Sequence, residues 1–171
     1  MSAARAMDAQ ARAVDTETRA ERSDHGAIRL WLRMLATNRL VEMRTRRLLL
    51  ERFGTTLPRF DLMAQLERFP GGLRMSELSK RMMVTGGNVT GITDLLEREG
   101  LVERAADPDD RRALRVRLTR AGRRAFAAMA AEHERWIIEA FAPLAAREMA
   151  AMAALLARLK THVRSLEGPD A

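Results

Sequence analysis

The stretch ALRVRL alternates basic and apolar side chains. Leu114, Val116 and Leu118 alternate with Arg115 and Arg117, which is the two-residue repeat of a strand with one buried face. Such a strand packs its leucines and valine on a core and offers guanidinium groups on its open face. Guanidinium groups stay charged and bind phosphate oxygens through paired hydrogen bonds. The chemistry that this pattern favours is therefore the binding of phosphates.

The stretch VTGGNVTGITDLLEREGLVER, residues 84–104, concentrates glycines at the start of a predicted helix. Gly86 and Gly87 come first and Gly91 follows one turn later. A glycine inside a helix costs about 0.8–1 kcal/mol relative to alanine, with a smaller cost in the first turn. Two explanations remain open: another molecule approaches this backbone closely, or the helix start is flexible without functional consequence.

Hydrophobic periodicity and capping residues place these stretches among helices. A helix capped by Thr85 has Val89, Ile92, Leu95 and Leu96 on its apolar side and Gly91 on the opposite face. The elements that we predict are a helix over 28–53, a helix from Thr56 to the Pro-Gly-Gly at 70–72, a short helix over 75–82, the glycine-rich helix over 85–100, a hairpin of VER and ALRVRL around the turn 107–110, a helix from Thr119 to 141 and a helix over 145–166.

A helix, a tight link, a second helix and a basic hairpin follow one another in the order of a winged helix-turn-helix. In that fold the second helix enters the major groove of DNA with its N-terminal residues on base edges. Its N-terminal amides suit phosphate, and arginines of the wing suit the negative potential of the minor groove. The predicted fold class is mainly α with a small β-hairpin.

Apolar residues of the last helix recur at intervals of 3, 4, 3, 4 and 3. This is the spacing of a helix that pairs with another helix along a seam. Dimerisation and packing within one chain both explain such a seam, and its terminal position favours dimerisation. The seam residues are Met149, Met152, Leu156, Leu159, Val163 and Leu166.

Composition narrows the classes of function. The 171 residues carry 30 Lys+Arg against 23 Asp+Glu, a net charge of +7 that indicates either a solvated surface or a polyanionic partner. The absence of cysteine excludes thiol sensing, and the scattered histidines disfavour a metal site. No apolar run is long enough to span a membrane and the N-terminus lacks a signal core, so we expect a cytoplasmic protein. No catalytic motif is present, and we predict that the protein is not an enzyme and needs no cofactor.

Residues 75–122 resemble the DNA-binding core of the MarR family of bacterial transcriptional regulators. The resemblance is most specific in the wing, where Asp110 and Arg112 are followed after five residues by Leu118, Thr119 and Gly122. It extends over about residues 28–166. It implies an obligate homodimer with intertwined N- and C-terminal helices, and a ligand pocket between those helices and the DNA-binding lobe.

The resemblance also assigns DNA contacts to this chain. It implies that Asp110 holds Arg112 in place and that Arg111 or Arg112 reaches the minor groove. Gly86 and Gly91 depart from the family, in which long polar residues are common, so base recognition is expected to depend on Asn88 and Thr90. The predicted DNA-binding residues are Thr85, Gly86, Gly87, Asn88, Thr90, Gly91, Thr93, Arg111, Arg112 and Arg115.

Methionines and a few polar residues are candidates for the ligand pocket, although most of them would equally suit a plain core. The resemblance favours an aromatic acyl-CoA as inducer, with a free aromatic carboxylate as the alternative. The candidates are Met34, Asn38, Arg39, Met63, Met129, His133 and Trp136. We predict that the ligand releases a repressor of aromatic catabolism from a pseudo-palindromic operator. The alternative is a structural winged helix that binds no specific DNA.

These assignments give a domain scheme. Its parts are a flexible or helical arm over 1–24, a dimerisation helix over 25–53, a winged helix-turn-helix lobe over 56–122, dimerisation helices over 123–166 and a tail over 167–171.

Overall fold

The computed structural model describes residues 25–83, 85–107 and 113–166. The chain divides into two compact units, one ending at His133 and the other beginning at Glu134. The predicted N-terminal arm and the C-terminal tail lie outside the described residues.

Counted over the described residues alone, the first unit contains four helices, a three-stranded sheet and most of a fifth helix, and the second unit contains the end of that helix and a sixth. The elements are α1 (Gly26–Phe53), α2 (Leu57–Arg68), β1 (Leu73–Arg74), α3 (Met75–Met82), α4 (Gly86–Arg98), β2 (Val102–Ala106), β3 (Leu114–Leu118), α5 (Arg120–Phe141) and α6 (Ala146–Leu166). Mainly helical structure with a small antiparallel sheet confirms the predicted fold class.

Two glycines end helices or turns in a conformation that other residues adopt at a cost. Gly54 follows α1 with φ of 60° and donates its backbone N–H to the Leu50 carbonyl oxygen at 3.0 Å. Gly72 has φ of 84°, and a β-carbon there would lie 2.8 Å from the Val116 carbonyl oxygen. The turn before β1 therefore requires glycine because of both its backbone angle and its contact with β3.

The sheet has the order β1-β3-β2, with both pairs antiparallel. The hairpin of β2 and β3 was predicted, with β2 longer than the expected VER. The strand β1 was not predicted, since its two residues are too few to show an alternating pattern. Its pairing places Arg74 directly across from Arg115.

The core of the first unit lies between α2, α3, α4 and the sheet. Its fully buried side chains include Leu62, Met63, Leu66, Leu78, Val89, Leu96, Val102, Val116 and Leu118. Leu95 is 43% exposed, so its predicted place on the buried side of α4 is wrong. Val89, Ile92 and Leu96 already fill the inward face at helical spacing, and Leu95 lies to the side of it.

The junction between the sheet and α5 depends on Thr119 and Gly122. The Thr119 hydroxyl accepts a hydrogen bond from the Gly122 N–H at 3.0 Å and donates one to the Gly100 carbonyl oxygen at 2.7 Å. The predicted N-terminal cap at Thr119 is thus confirmed. Thr56 and Thr85 occupy N-cap positions too, but neither side chain makes a capping hydrogen bond.

Helix α6 has no buried residue. Its large apolar side chains remain between 38% and 71% exposed, and all six predicted seam residues are among them. Among the described residues no single helix is long and apolar enough to cross a membrane. The helices α5 and α6 reach the required length and hydropathy only when both are taken together across the bend between them.

Candidate nucleic-acid interface

Helix α4 has one buried face and one exposed polar face. Val89, Ile92 and Leu96 anchor it in the core, whereas Asn88 and Thr90 are exposed. A helix held along one side in this way presents its other side to a partner as a rigid surface. The exposed face starts at the first turn of the helix, where backbone N–H groups have no partner within the helix.

The three glycines of α4 are not required by packing inside the chain. A β-carbon at Gly87 or Gly91 would meet nothing within 4 Å, and one at Gly86 would meet only the Ser79 hydroxyl oxygen at 3.9 Å. All three residues are exposed and lie in regular helix. Their backbone is therefore accessible to a molecule that approaches α4 from outside.

The polar side chains of this face differ in how they are held. The Thr90 hydroxyl donates a hydrogen bond to the Gly86 carbonyl oxygen at 3.0 Å, which restricts its rotamer. Thr85 is exposed at the N-cap and makes no capping hydrogen bond with its side chain. All the predicted DNA-binding residues from Thr85 to Gly91 are thus exposed, and Val89 between them is buried as predicted.

The prediction that Thr93 contacts DNA is wrong. Its side chain has no exposed surface, and its hydroxyl donates to the Val89 carbonyl oxygen at 2.8 Å. Thr93 lies four residues after Val89 and one after Ile92, on the inward face of the helix, so it belongs to the core. The short polar side chain satisfies its hydrogen bond within α4 and packs near Met75.

Arg115 is not displayed on the open face of the hairpin as ALRVRL indicates. Its side chain is 26% exposed, and its Nε donates to the carboxylate of Asp107 at 2.9 Å. Its Nη1 donates to the Gly72 carbonyl oxygen at 3.3 Å. Contact of Arg115 with DNA stays a prediction, but its Nε and Nη1 already donate hydrogen bonds to Asp107 and Gly72.

Asp107 is the acceptor that organises the base of the wing. Its carboxylate is fully buried, and Oδ2 accepts hydrogen bonds from the Nε of Arg74 at 2.6 Å and of Arg115 at 2.9 Å. Its backbone N–H donates to the Ala113 carbonyl oxygen at 3.0 Å. One carboxylate thus links the ends of all three strands.

Another arginine, Arg104, connects the sheet with α4. The guanidinium of Arg104, on β2, pairs with Asp94 at 2.5 Å and with Glu97, one turn further along α4. The hydrogen bond that Arg104 donates to Asp94 is the largest cause that raises the pKa of Arg104. On the hairpin itself, Arg117 pairs with Glu103 across the strands at 2.8 Å.

Asp107, Arg74 and Arg104 were not predicted from the sequence. Asp107 was interpreted as part of a turn, and Arg74 and Arg104 have no periodic signature. Asp110, Arg111 and Arg112, which the sequence predicted at the wing, lie outside the described residues. Their roles stay predictions.

The candidate ligand residues are divided between surface and core. On α1, Met34 is half-buried, and Asn38 and Arg39 are exposed. Met63 and Met129 are 0% and 5% exposed, so they are core residues and do not contribute to the surface. Trp136 belongs to the second unit.

The ring of His133 lies tilted against the buried Phe60 of α2. Its ring centroid lies 4.9 Å from that of Phe60, and burial lowers its pKa while the nearby Asp61 carboxylate opposes that shift. Desolvation raises the pKa of Asp61, opposed by His133 and Arg46. The roles of these residues in ligand binding stay predictions.

Comparison with known proteins identifies relatives of this lobe. A family model for the MarR family matches residues 53–113. The HTH-type transcriptional regulator YdgJ of Bacillus subtilis is 32% identical over 95 residues, 56% of this chain and 58% of that protein. The chain therefore spans less than two thirds of the length of that curated relative.

Solved structures match over a larger share. A MarR family transcriptional regulator from Silicibacter pomeroyi is 35% identical with a TM-score of 0.68, covering 82% of this chain and 99% of that one. Sco3205 of Streptomyces coelicolor, a MarR family regulator solved in complex with DNA, has a TM-score of 0.71 at 24% identity and covers 83% of this chain and 88% of that one. The second likeness is one of fold.

Proposed function

The chain belongs to the MarR family of transcriptional regulators, and from that premise we propose that it binds operator DNA as a homodimer and dissociates when a small aromatic effector binds. The two α4 helices would enter successive major grooves of a pseudo-palindrome, about 10–10.5 base pairs apart. The homodimer would act in the cytoplasm as a repressor of aromatic-compound catabolism.

The exposed face of α4 carries the proposal. Gly86, Gly87 and Gly91 have no packing role within the chain, and each costs helix stability. A helix without side chains at these points lies closer to a groove floor, where Asn88 can pair with base edges. Asn88 suits adenine, which offers an acceptor and a donor in the major groove.

The proposed homodimer is supported by α6. A helix of 21 residues with no buried side chain and an apolar seam does not stabilise a monomer in water. Burial of apolar area contributes about 25 cal/mol per Å², so pairing of two such helices supplies the missing stabilisation. The seam spacing suits a partner helix of the same kind.

The proposed effector is an aromatic acyl-CoA, with a free aromatic carboxylate as the alternative. Support comes from the exposed Asn38 and Arg39 and the half-buried Met34 on α1. An arginine suits the phosphates of coenzyme A, and a methionine adapts to apolar ligands. Calorimetric titration with each ligand class tests this part, and replacement of Arg39 by alanine is expected to weaken binding of the thioester more than that of the free acid.

Fluorescence anisotropy on DNA from upstream of the gene tests DNA binding. We expect selective binding, with log K falling linearly as log[salt] rises, by about 0.9 per phosphate neutralised. Thr90→Ala is expected to weaken binding. Thr161→Ala is the matched control, because Thr161 makes the same hydrogen bond to the carbonyl oxygen four residues earlier, also at 3.0 Å, on exposed helix.

The two variants separate the possible results. Loss of affinity in Thr90→Ala with wild-type affinity in Thr161→Ala supports α4 as the recognition helix. Equal affinities of both variants would remove Thr90 from the interface. Binding that does not distinguish the operator from unrelated DNA would leave a structural winged helix as the better explanation.

A further inference from the structure

We infer that Asp107 is a positioning residue for DNA binding, because it holds the base of the wing in the orientation that the operator requires. This inference rests on the proposed DNA-binding function. It assigns the task to a residue that does not face DNA itself, since its carboxylate has no exposed surface.

The geometry joins three strands at one oxygen atom. Arg74 is the residue at which β1 ends and α3 begins, and Arg115 lies opposite it on β3. Both donate from Nε to Oδ2 of Asp107, at 2.6 and 2.9 Å. We call this hydrogen-bonded group of Asp107, Arg74 and Arg115 the node. Because Asp107 directly follows β2, the node connects the wing strands with the start of the helix-turn-helix.

The node is placed at the limits of the segment that joins β2 to β3. Asp107 and Ala113 stand on either side of residues 108–112 and are joined by a backbone hydrogen bond of 3.0 Å. The predicted minor-groove arginines, Arg111 and Arg112, lie within that segment. The hydrogen bonds of Asp107 therefore hold the residue to which that segment is attached.

Stability alone does not explain a charged node here. Burying a carboxylate requires its desolvation, and well-packed apolar residues commonly replace buried ion pairs without loss of stability. An additional negative charge near a polyanion also opposes DNA binding. Apolar residues at these positions would not supply the directed hydrogen bonds that Asp107 accepts from two guanidinium groups.

Asp107→Asn tests the inference, because charge and geometry predict opposite signs. The variant keeps the side chain's shape and removes one negative charge, so electrostatics alone predicts equal or tighter DNA binding. Positioning predicts about tenfold weaker binding and a salt slope lowered by about one phosphate. Glu103→Gln is the matched control, since it removes the same negative charge nearby in the chain, on β2, at an exposed side chain.

The salt slope distinguishes positioning from a loss of folded protein. A partly unfolded sample has a smaller active fraction, but its folded molecules retain the wild-type slope. Weaker binding with a lower slope in Asp107→Asn, beside wild-type or tighter binding in Glu103→Gln, supports the inference. Affinity of Asp107→Asn equal to that of Glu103→Gln overturns it.

Arg74→Lys provides the answer if Asp107→Asn does not fold at the assay temperature. It keeps the net charge and removes the Nε donor to Asp107, so positioning predicts a smaller loss of affinity in the same direction. Wild-type affinity and slope in Arg74→Lys would contradict the inference. If the wild-type protein itself shows no selective binding, the proposed function fails, whereas selective wild-type binding with unaffected variants defeats this inference alone.

Discussion

Gly122 lies against Leu101 so closely that a β-carbon at position 122 would stand 1.9 Å from the Leu101 carbonyl oxygen. The contact joins the first turn of α5 to the residue before β2. The Thr119 hydroxyl forms hydrogen bonds to both sides of the same junction, because it donates to the Gly100 carbonyl oxygen and accepts from the Gly122 N–H. The leucine-threonine-x-x-glycine pattern therefore has a steric cause.

Gly122→Ala is expected to destabilise the fold strongly. The added carbon meets backbone rather than a flexible side chain, so α5 must shift away from Leu101. Overpacking of this kind costs about 1–3 kcal/mol and occasionally more. Thermal unfolding measures it, with Gly87→Ala as the control, since a β-carbon at Gly87 meets nothing within 4 Å. Equal melting temperatures of the two variants would show that the junction is not close-packed.

Gly91→Ala is expected to separate stability from function. Alanine favours the helix by about 0.8–1 kcal/mol, which corresponds to a Tm roughly 2–4 °C higher in a chain of this size. DNA affinity is expected to fall by about tenfold, or 1.4 kcal/mol, because the methyl group stands between α4 and the groove. A higher Tm with unchanged affinity would favour the alternative of a glycine-rich helix start without consequence.

Elements with a periodic pattern were predictable, and isolated contacts were not. The short helix over 75–82 agrees with α3 because apolar spacing and a proline-glycine boundary define it. The strand β1 has only two residues, and its partner on β3 lies far along the chain. The ion pair of Arg74 with Asp107 joins residues 33 positions apart, a relationship that only the folded chain brings about.

The face of α4 shows the same division. Asn88 and Thr90 are exposed as predicted, whereas Thr93 is buried and Leu95 is exposed. Polarity suggested the opposite for the last two residues. Thr93 tolerates burial because its hydroxyl finds the Val89 carbonyl oxygen within the same helix.

Leu156→Glu is expected to convert the proposed homodimer into monomers. Leu156 lies in the middle of the α6 seam, and a carboxylate there would have to be desolvated against the partner helix. Sedimentation velocity at micromolar concentration measures the change, and DNA affinity should fall with it. Ala154→Glu is the control, because position 154 lies on the side of the helix away from the seam. A dimeric Leu156→Glu variant would place the interface elsewhere.

Lowering the pH is expected to destabilise the protein through His133. Burial holds the folded-state pKa of His133 below its ordinary value of about 6.5, so the unfolded chain binds more protons as the pH falls past that value. Linkage then lowers the free energy of unfolding from about pH 7 downward until the folded-state pKa is passed.

Asp61 acts in the opposite sense, in a lower range. Its pKa is raised by desolvation, so the folded state gains relative stability as the pH falls toward the ordinary aspartate value near 4. Glu42 and Arg46 of α1 also act on Asp61, which makes Asp61→Asn a necessary companion variant. Thermal unfolding from about pH 7.5 to 5.5 should show a steeper fall in Tm for the wild type than for His133→Gln. A wild-type profile in His133→Gln would assign the pH dependence to other groups.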